Sequence, residues 1–263
     1  MSETIAIANQ KGGVGKTTTA INLAAALACL GQNTLLVDLD PQGNATSGLG
    51  FSKNGDYPSV HQVLVDLLPA DQAIQQTSVE LLDILCASQD MVSAELELAS
   101  VVSRENRLFK ALEPFIPVYD FIIIDCPPAL SLLTINALVA ANRAIIPIQG
   151  EYYALEGLAY FIEAINKVRE SINPNLQLEG GVLTMFDIRQ TLAQQVKSEL
   201  EKYFGESLFK TQIPRTVRLA EAPSFGKTIF QYDARSKGSE AYLSLAGELL
   251  ARRGWKGMRF NNN

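Results

Sequence analysis

The residues Lys11-Gly12-Gly13-Val14-Gly15-Lys16-Thr17-Thr18 are the stretch whose types and spacing point most directly to chemistry. Glycines let successive backbone N–H groups curl around a polyphosphate without Cβ clashes. An apolar run at 4–8 precedes them and predicts a buried strand; residues 20–27 follow and predict a helix. Strand, glycine-rich turn, Gly-Lys-Thr and helix form the context a phosphate-binding loop requires. The helix N-terminus adds partial positive charge for an anion. In such a loop Lys16 reaches the β- and γ-phosphates and Thr17 holds Mg²⁺.

Carboxylates stand where a phosphate site needs them. A strand predicted at 33–38 runs into Asp38-Leu39-Asp40-Pro41-Gln42-Gly43. Carboxylates separated by one residue share a strand face unless the chain turns, and strand C-terminal ends border the ligand crevice of open α/β sheets. A second apolar run, 121–124, ends in Asp125 and is followed by Cys126-Pro127-Pro128. Beside a phosphate loop, Asp125 is the expected Mg²⁺ residue, acting through water. His61 is the single histidine, so a histidine-based triad is unavailable, and it reads as structural. Cys29, Cys86 and Cys126 have no metal-type spacing and suit a reducing compartment.

These groups must be held by a large core. The chain has 263 residues, 47% hydrophobic and 19% charged, enough for one domain over 1–251 without a Pro/Gly/Ser linker. Further strands are predicted at 81–85, 144–148 and 181–185. Helices are predicted near 104–113, 131–141, 155–171, 190–203 and 238–253. Continuous apolar strands alternating with amphipathic helices predict an α/β fold: a mostly parallel twisted sheet with helices on both faces. Residues 50–80 show the least regular pattern. No apolar run reaches the roughly 20 residues of a membrane span. The early strand predicts that no signal peptide precedes it. Residues 1–180 carry 9 Lys/Arg and 20 Asp/Glu, whereas 181–263 carry 13 and 8. The acidic whole argues against nucleic acid, but the basic last third restores that partner, because counterion release depends on local patches.

The loop departs from the general phosphate-loop form, with Gln10 at the first glycine position and a second lysine, Lys11. K-G-G-x-G-K-T-T resembles the deviant Walker A loop of the ParA/MinD family of ATPases. The resemblance runs from residue 4 to about residue 250 and is nearest to the chromosomal ParA/Soj branch. It implies P-loop NTPase architecture, ATP and Mg²⁺ as cofactors, and slow, partner-stimulated ATP hydrolysis. Nucleotide would be held by residues 11–18, including Gly12, Gly13, Val14, Gly15 and Thr18. Lys11 would cross an ATP-dependent homodimer interface to the partner's nucleotide. Lys11, Lys16 and Asp40 would be the catalytic set, Asp40 acting on the attacking water. Asp38 would support the Mg²⁺ site with Thr17 and Asp125. Residues 127–131 resemble the family's switch segment, and 147–157 a segment near the dimer face. Residues 213–224 resemble the loop that covers the adenine, with Met185 and Pro214 as its neighbours.

The same resemblance assigns sequence-independent DNA binding to Arg189 and Arg218, with Arg215 and Lys227, like Arg235 and Lys237, added by charge alone. It implies a ParB-like partner and a cytoplasmic, nucleoid-associated protein, without the N-terminal helix-turn-helix region of larger relatives. The alternative is a MinD-like membrane-surface ATPase. Residues 252–263 mix basic side chains with Trp255, Met258 and Phe260. Gly254 and Gly257 interrupt any helix there, so a flexible or DNA-touching tail is the expectation and a membrane partner is disfavoured. An iron–sulfur reductase would need a second suitably placed cysteine beside Cys126. A binding module without turnover would lack one of Lys11, Lys16, Thr17, Asp40 or Asp125, and all are present.

Overall fold

The structure, a computed structural model, describes residues 2–151 and 154–254. Eight strands form one sheet: β1 (Glu3–Ile7), β2 (Thr34–Asp38), β3 (Ile74–Gln76), β4 (Leu82–Leu85), β5 (Phe121–Asp125), β6 (Arg143–Gln149), β7 (Gln177–Phe186) and β8 (Leu208–Pro214). Their order is β3-β4-β2-β5-β1-β6-β7-β8, and all neighbours run parallel except β3 with β4. The inner strands β1, β2 and β5 are almost wholly buried, so both their faces are apolar.

Two apolar layers sandwich the sheet. One gathers Leu35, Val37, Ile122, Ile124, Leu133 and Phe161; the other gathers Ile5, Ile7, Leu36, Ile123, Leu245 and Leu249. Alternation along each strand sends successive side chains to opposite layers. Helix Lys16–Cys29 is buried nearly all round, and its alanines let it lie close to the sheet and to helix Lys237–Arg252.

The expected strands and helices are present with small shifts at their ends. Two strands stand outside the sequence prediction, β3 and β8, and both are sheet edges. The β8 edge is blunted: the Glu248 carboxylate accepts from the amides of Lys210 and Thr211, each at 2.9 Å. The irregular stretch contains helix Val60–Leu64, opened by a Ser59/Gln62 capping box. Regular helix continues to Arg252, past the expected boundary at 251, and Arg253 is tied to Glu179 and Glu3. The rest of the expected tail, 255–263, lies outside the described residues, as do Tyr152 and Tyr153.

Candidate nucleotide-binding site

Register sets the site. On β5, Asp125 pairs with Ile7 of β1 on one side and with Asp38 of β2 on the other. The two carboxylates therefore end adjacent strands beside the loop that leaves β1. That loop holds Gly13 and Gly15 at φ 76° and 84°, left-handed values that favour glycine. Gly15 is the N-cap of helix Lys16–Cys29 and no side chain caps that end, so its first N–H groups face the loop. Thr184 pins the loop from β7, its hydroxyl donating to the Val14 carbonyl at 2.7 Å.

Lys16 is 6% exposed, and its Nζ donates to the Lys11 carbonyl at 2.9 Å. Burial lowers its pKa, against the pull of Asp125, Cys126 and Asp40. The ammonium thus stays within the loop, close to the carboxylates.

Asp125 is fully buried, and neither of its oxygens has a hydrogen-bond donor in bonding geometry. Burial pushes its carboxyl well above the usual range. Asp38 and Asp40 push it further, while the neighbouring Thr17 hydroxyl and Lys16 ammonium favour its charged form. A buried carboxylate without partners is costly and calls for a cation. Asp125 and Thr17 together fit Mg²⁺, which takes few protein ligands and keeps waters and substrate phosphates. Among the described residues no group of three or more His, Cys, Asp or Glu forms a complete protein cage.

Asp38 is engaged otherwise. Its Oδ2 accepts from the amide and the hydroxyl of Thr46, both at 2.7 Å, and its Oδ1 from the Asp40 amide at 3.3 Å. Burial, with Asp40 nearby, raises its pKa to about 6 against these hydrogen bonds. It is less free than Asp125 to be a direct ligand, and its contacts shape the turn that carries Asp40. Asp40 is 6% exposed, with Oδ1 fixed by the Gln42 amide at 2.9 Å.

A cavity of about 240 Å³ opens beside Gly15 and Thr18. Met185 and Pro214 line it with Thr216 and Leu219 of the 213–224 segment, and so do Thr184 and Tyr242, which carried no such signal in the sequence. Met185 itself sits at φ 50°, an unusual conformation for a side-chain-bearing residue. Ligand pockets commonly span about 300–1,000 Å³, so this hollow suits one ring system with the phosphates outside on the loop. Two larger hollows, about 710 Å³ between residues 63 and 115 and about 750 Å³ beside β8, contain none of these residues, and a third of about 620 Å³ shares only Pro214.

The loop is also tied to the segment after β6. Lys11 Nζ lies 2.7 Å from Glu151 Oε2, and Gln10 Nε2 donates to the Gly157 carbonyl at 3.1 Å. On the other side, a Cβ added at Gly12 would meet Pro128 Cβ at 4.0 Å. Lys11 therefore rests on its own chain in this structure.

Arg189, Arg218, Arg215 and Lys227, expected at DNA, are exposed, as are Arg235 and Lys237. Arg189 is clasped by Asp187 through Nε at 2.9 Å and Nη2 at 2.7 Å, and that pairing pulls the Asp187 carboxyl down to about 2. Arg218 lies 3.2 Å from Glu221 and 3.5 Å from Asp233. Arg215 borders the small cavity, and Lys227 follows the turn at Gly226. His61 faces Glu97 at 3.3 Å, away from the loop residues.

A family model described as an AAA domain matches residues 2–178. The sporulation initiation inhibitor protein Soj of Bacillus subtilis is 53% identical over 251 residues, covering 95% of this chain and 99% of that protein. The chromosome partitioning protein ParA of Myxococcus xanthus is 51% identical over 248 residues, covering 94% and 88%. Among solved structures, a Mycobacterium smegmatis protein described as cobyrinic acid a,c-diamide synthase, with bound ADP and magnesium, superposes with a TM-score of 0.85 at 36% identity over 98% of each chain. The cell division ATPase MinD of Pyrococcus furiosus gives 0.80 at 25% identity, covering 96% of this chain and all of that one.

Proposed function

The chain belongs to the ParA/Soj family of chromosome-partitioning ATPases, and from that premise we propose that it is a Mg-ATP-dependent ATPase that dimerises with ATP and then binds DNA without sequence preference. Release follows hydrolysis stimulated by a ParB-like partner. One observation carries this reading. The segment that runs from Ile213 through helix Val217–Glu221 has two faces. Ile213, Pro214 and Leu219 line the cavity beside the phosphate loop; Arg215 stands exposed at its rim and Arg218 is exposed beyond it. A base bound inside would fix the elements that present the arginines outside.

The chain's own groups divide the work of phosphoryl transfer, which needs positioning and charge neutralisation more than covalent chemistry. Loop N–H groups and the helix N-terminus would cradle the phosphates. Lys16, already desolvated in the loop, would turn from the Lys11 carbonyl to phosphate oxygens. Thr17 and Asp125 would hold Mg²⁺, which when bound offsets charge on those oxygens. Asp40, held by Gln42, would orient the attacking water. Lys11 would leave Glu151 for the partner's nucleotide on dimerisation. Two weak DNA patches joined in a dimer gain avidity, which makes binding nucleotide-dependent.

Diamide synthesis, the activity in one neighbour's description, finds no support in Cys126, the cysteine beside this site. Burial and Asp125 raise the Cys126 thiol well above its ordinary value, the reverse of an activated thiolate. The membrane-surface alternative depends on residues 255–260, beyond those described; among the described residues no helix is long and apolar enough to cross a membrane.

Asp40→Ala tests the hydrolytic assignment. The variant should bind ATP and sediment as a dimer while single-turnover hydrolysis is lost. Hydrolysis at the wild-type rate would remove Asp40 from the mechanism.

A further inference from the structure

Helix Val217–Glu221 and the turn after it expose more than charge. Phe225 is 62% exposed and Val217 70% exposed, between the cations Arg215, Arg218 and Lys227. Single exposed apolar residues are ordinary on protein surfaces, but this ring is fixed in place. It stacks on Tyr232 with centroids 5.2 Å apart and planes 27° from parallel. Tyr232 is held in turn, its hydroxyl donating to Glu221 Oε2 at 3.0 Å and its ring lying 5.9 Å beneath the Arg218 guanidinium. The backbone after Phe225 is equally constrained. Gly226 turns at φ 62°, and a Cβ there would come within 2.6 Å of the Gly50 Cα. The Gly226 amide closes onto the Pro223 carbonyl at 3.0 Å.

The charge at this spot is partly spent. Arg218 is shared between Glu221 at 3.2 Å and Asp233 at 3.5 Å, which leaves it a weaker phosphate ligand than a free arginine. What the patch offers in full is flat surface, a phenyl ring stacked on the same tyrosine that the guanidinium lies over. Aromatic rings next to cations are the means by which proteins hold unpaired bases, because every base has a π-face.

We propose that Phe225 is a stacking surface for an unpaired nucleobase, so that the Arg218 patch takes single-stranded or locally opened DNA more tightly than its charge alone would allow. The inference rests on the DNA reading above and adds to it a base contact that a phosphate patch lacks. Duplex phosphates would still be met by Arg215, Arg218 and Lys227, and the ring would add little to a closed duplex, whose bases are already stacked.

The test is fluorescence anisotropy with the full chain and ATP. The probes are one mixed-sequence oligonucleotide as a single strand, the same strand in duplex, and an abasic strand of equal length that keeps the phosphates. Wild type is compared with Phe225→Ala and Phe225→Trp. One stacked base corresponds to about a tenfold change in affinity. Phe225→Ala should therefore weaken single-strand binding about tenfold and leave the abasic strand and the duplex within about twofold. Phe225→Trp should retain wild-type binding to the single strand. Equal losses on all three probes, or no loss on any, would overturn the stacking role while leaving duplex binding standing. Wild-type protein that binds none of the probes would overturn the DNA reading and this inference together.

Discussion

Replacing Asp125 by Asn should make the nucleotide-free protein more stable while weakening its response to Mg-ATP. Asp125 is fully buried, both its oxygens lack donors, and Asp38 lies in register beside it. An unsatisfied buried polar group costs about 1–3 kcal/mol, and a charged one more. The amide keeps the shape and removes the charge, though its own NH₂ remains poorly served, so the net gain is about 1–3 kcal/mol. For a chain of this size that corresponds to about 2–10 °C in Tm. A carboxyl whose folded-state pKa is raised holds its proton more tightly folded than unfolded. Its contribution favours the native state below the unfolded value and is lost as pH rises toward the folded one. The advantage of Asp125→Asn should therefore be small near pH 4 and larger at pH 8. The assay is thermal unfolding in EDTA without nucleotide at both pH values, repeated with Mg-ATP. At 100 times Kd a ligand stabilises by about 2.7 kcal/mol, and the variant should lose most of the Mg²⁺-dependent part. A variant less stable than wild type in EDTA at pH 8, or one with an undiminished Mg-ATP shift, would refute the reasoning.

Two further outcomes follow from the same geometry. Lys16→Ala should abolish ATP binding in a fluorescent-nucleotide titration, because no other described ammonium is buried within the loop. Thr46→Val keeps the side-chain shape but strips one donor from Asp38 and the acceptor of the Ala87 amide. It should cost about 2–4 kcal/mol in urea unfolding, from two buried groups left short of partners.

The sequence revealed the site where its residues are neighbours along the chain. Residues 11–18, Asp38 with Asp40, and Asp125 each end or follow a continuous apolar run, which burial on both faces of a parallel sheet demands. The edge strands escaped because they lack that pattern: β3 reads Ile74-Gln75-Gln76, and β8 carries Lys210, Thr211 and Gln212. Helix Val60–Leu64 carried its own signal, Ser59 followed three residues later by Gln62, inside a stretch otherwise without periodicity. Contacts across the fold had no signal. Thr184 reaches Val14 over 170 residues and Lys11 reaches Glu151 over 140, distances that only the folded sheet brings together. The carboxylates that clasp Arg189 and Arg218 lay within reach in sequence, at Asp187 and Glu221. Charge counting treats such arginines as free, and the fold shows them paired.

The central claim is that nucleotide switches this chain onto DNA, and binding to a mixed-sequence duplex at fixed moderate salt tests it most directly. Wild type and Arg218→Glu would be compared with ATP, with ADP and without nucleotide. The account predicts binding with ATP alone, lost in Arg218→Glu, because the charge reversal places repulsion on the face that the nucleotide-lined segment presents. Binding that is equal in all three nucleotide states, or absent from all of them, would contradict it.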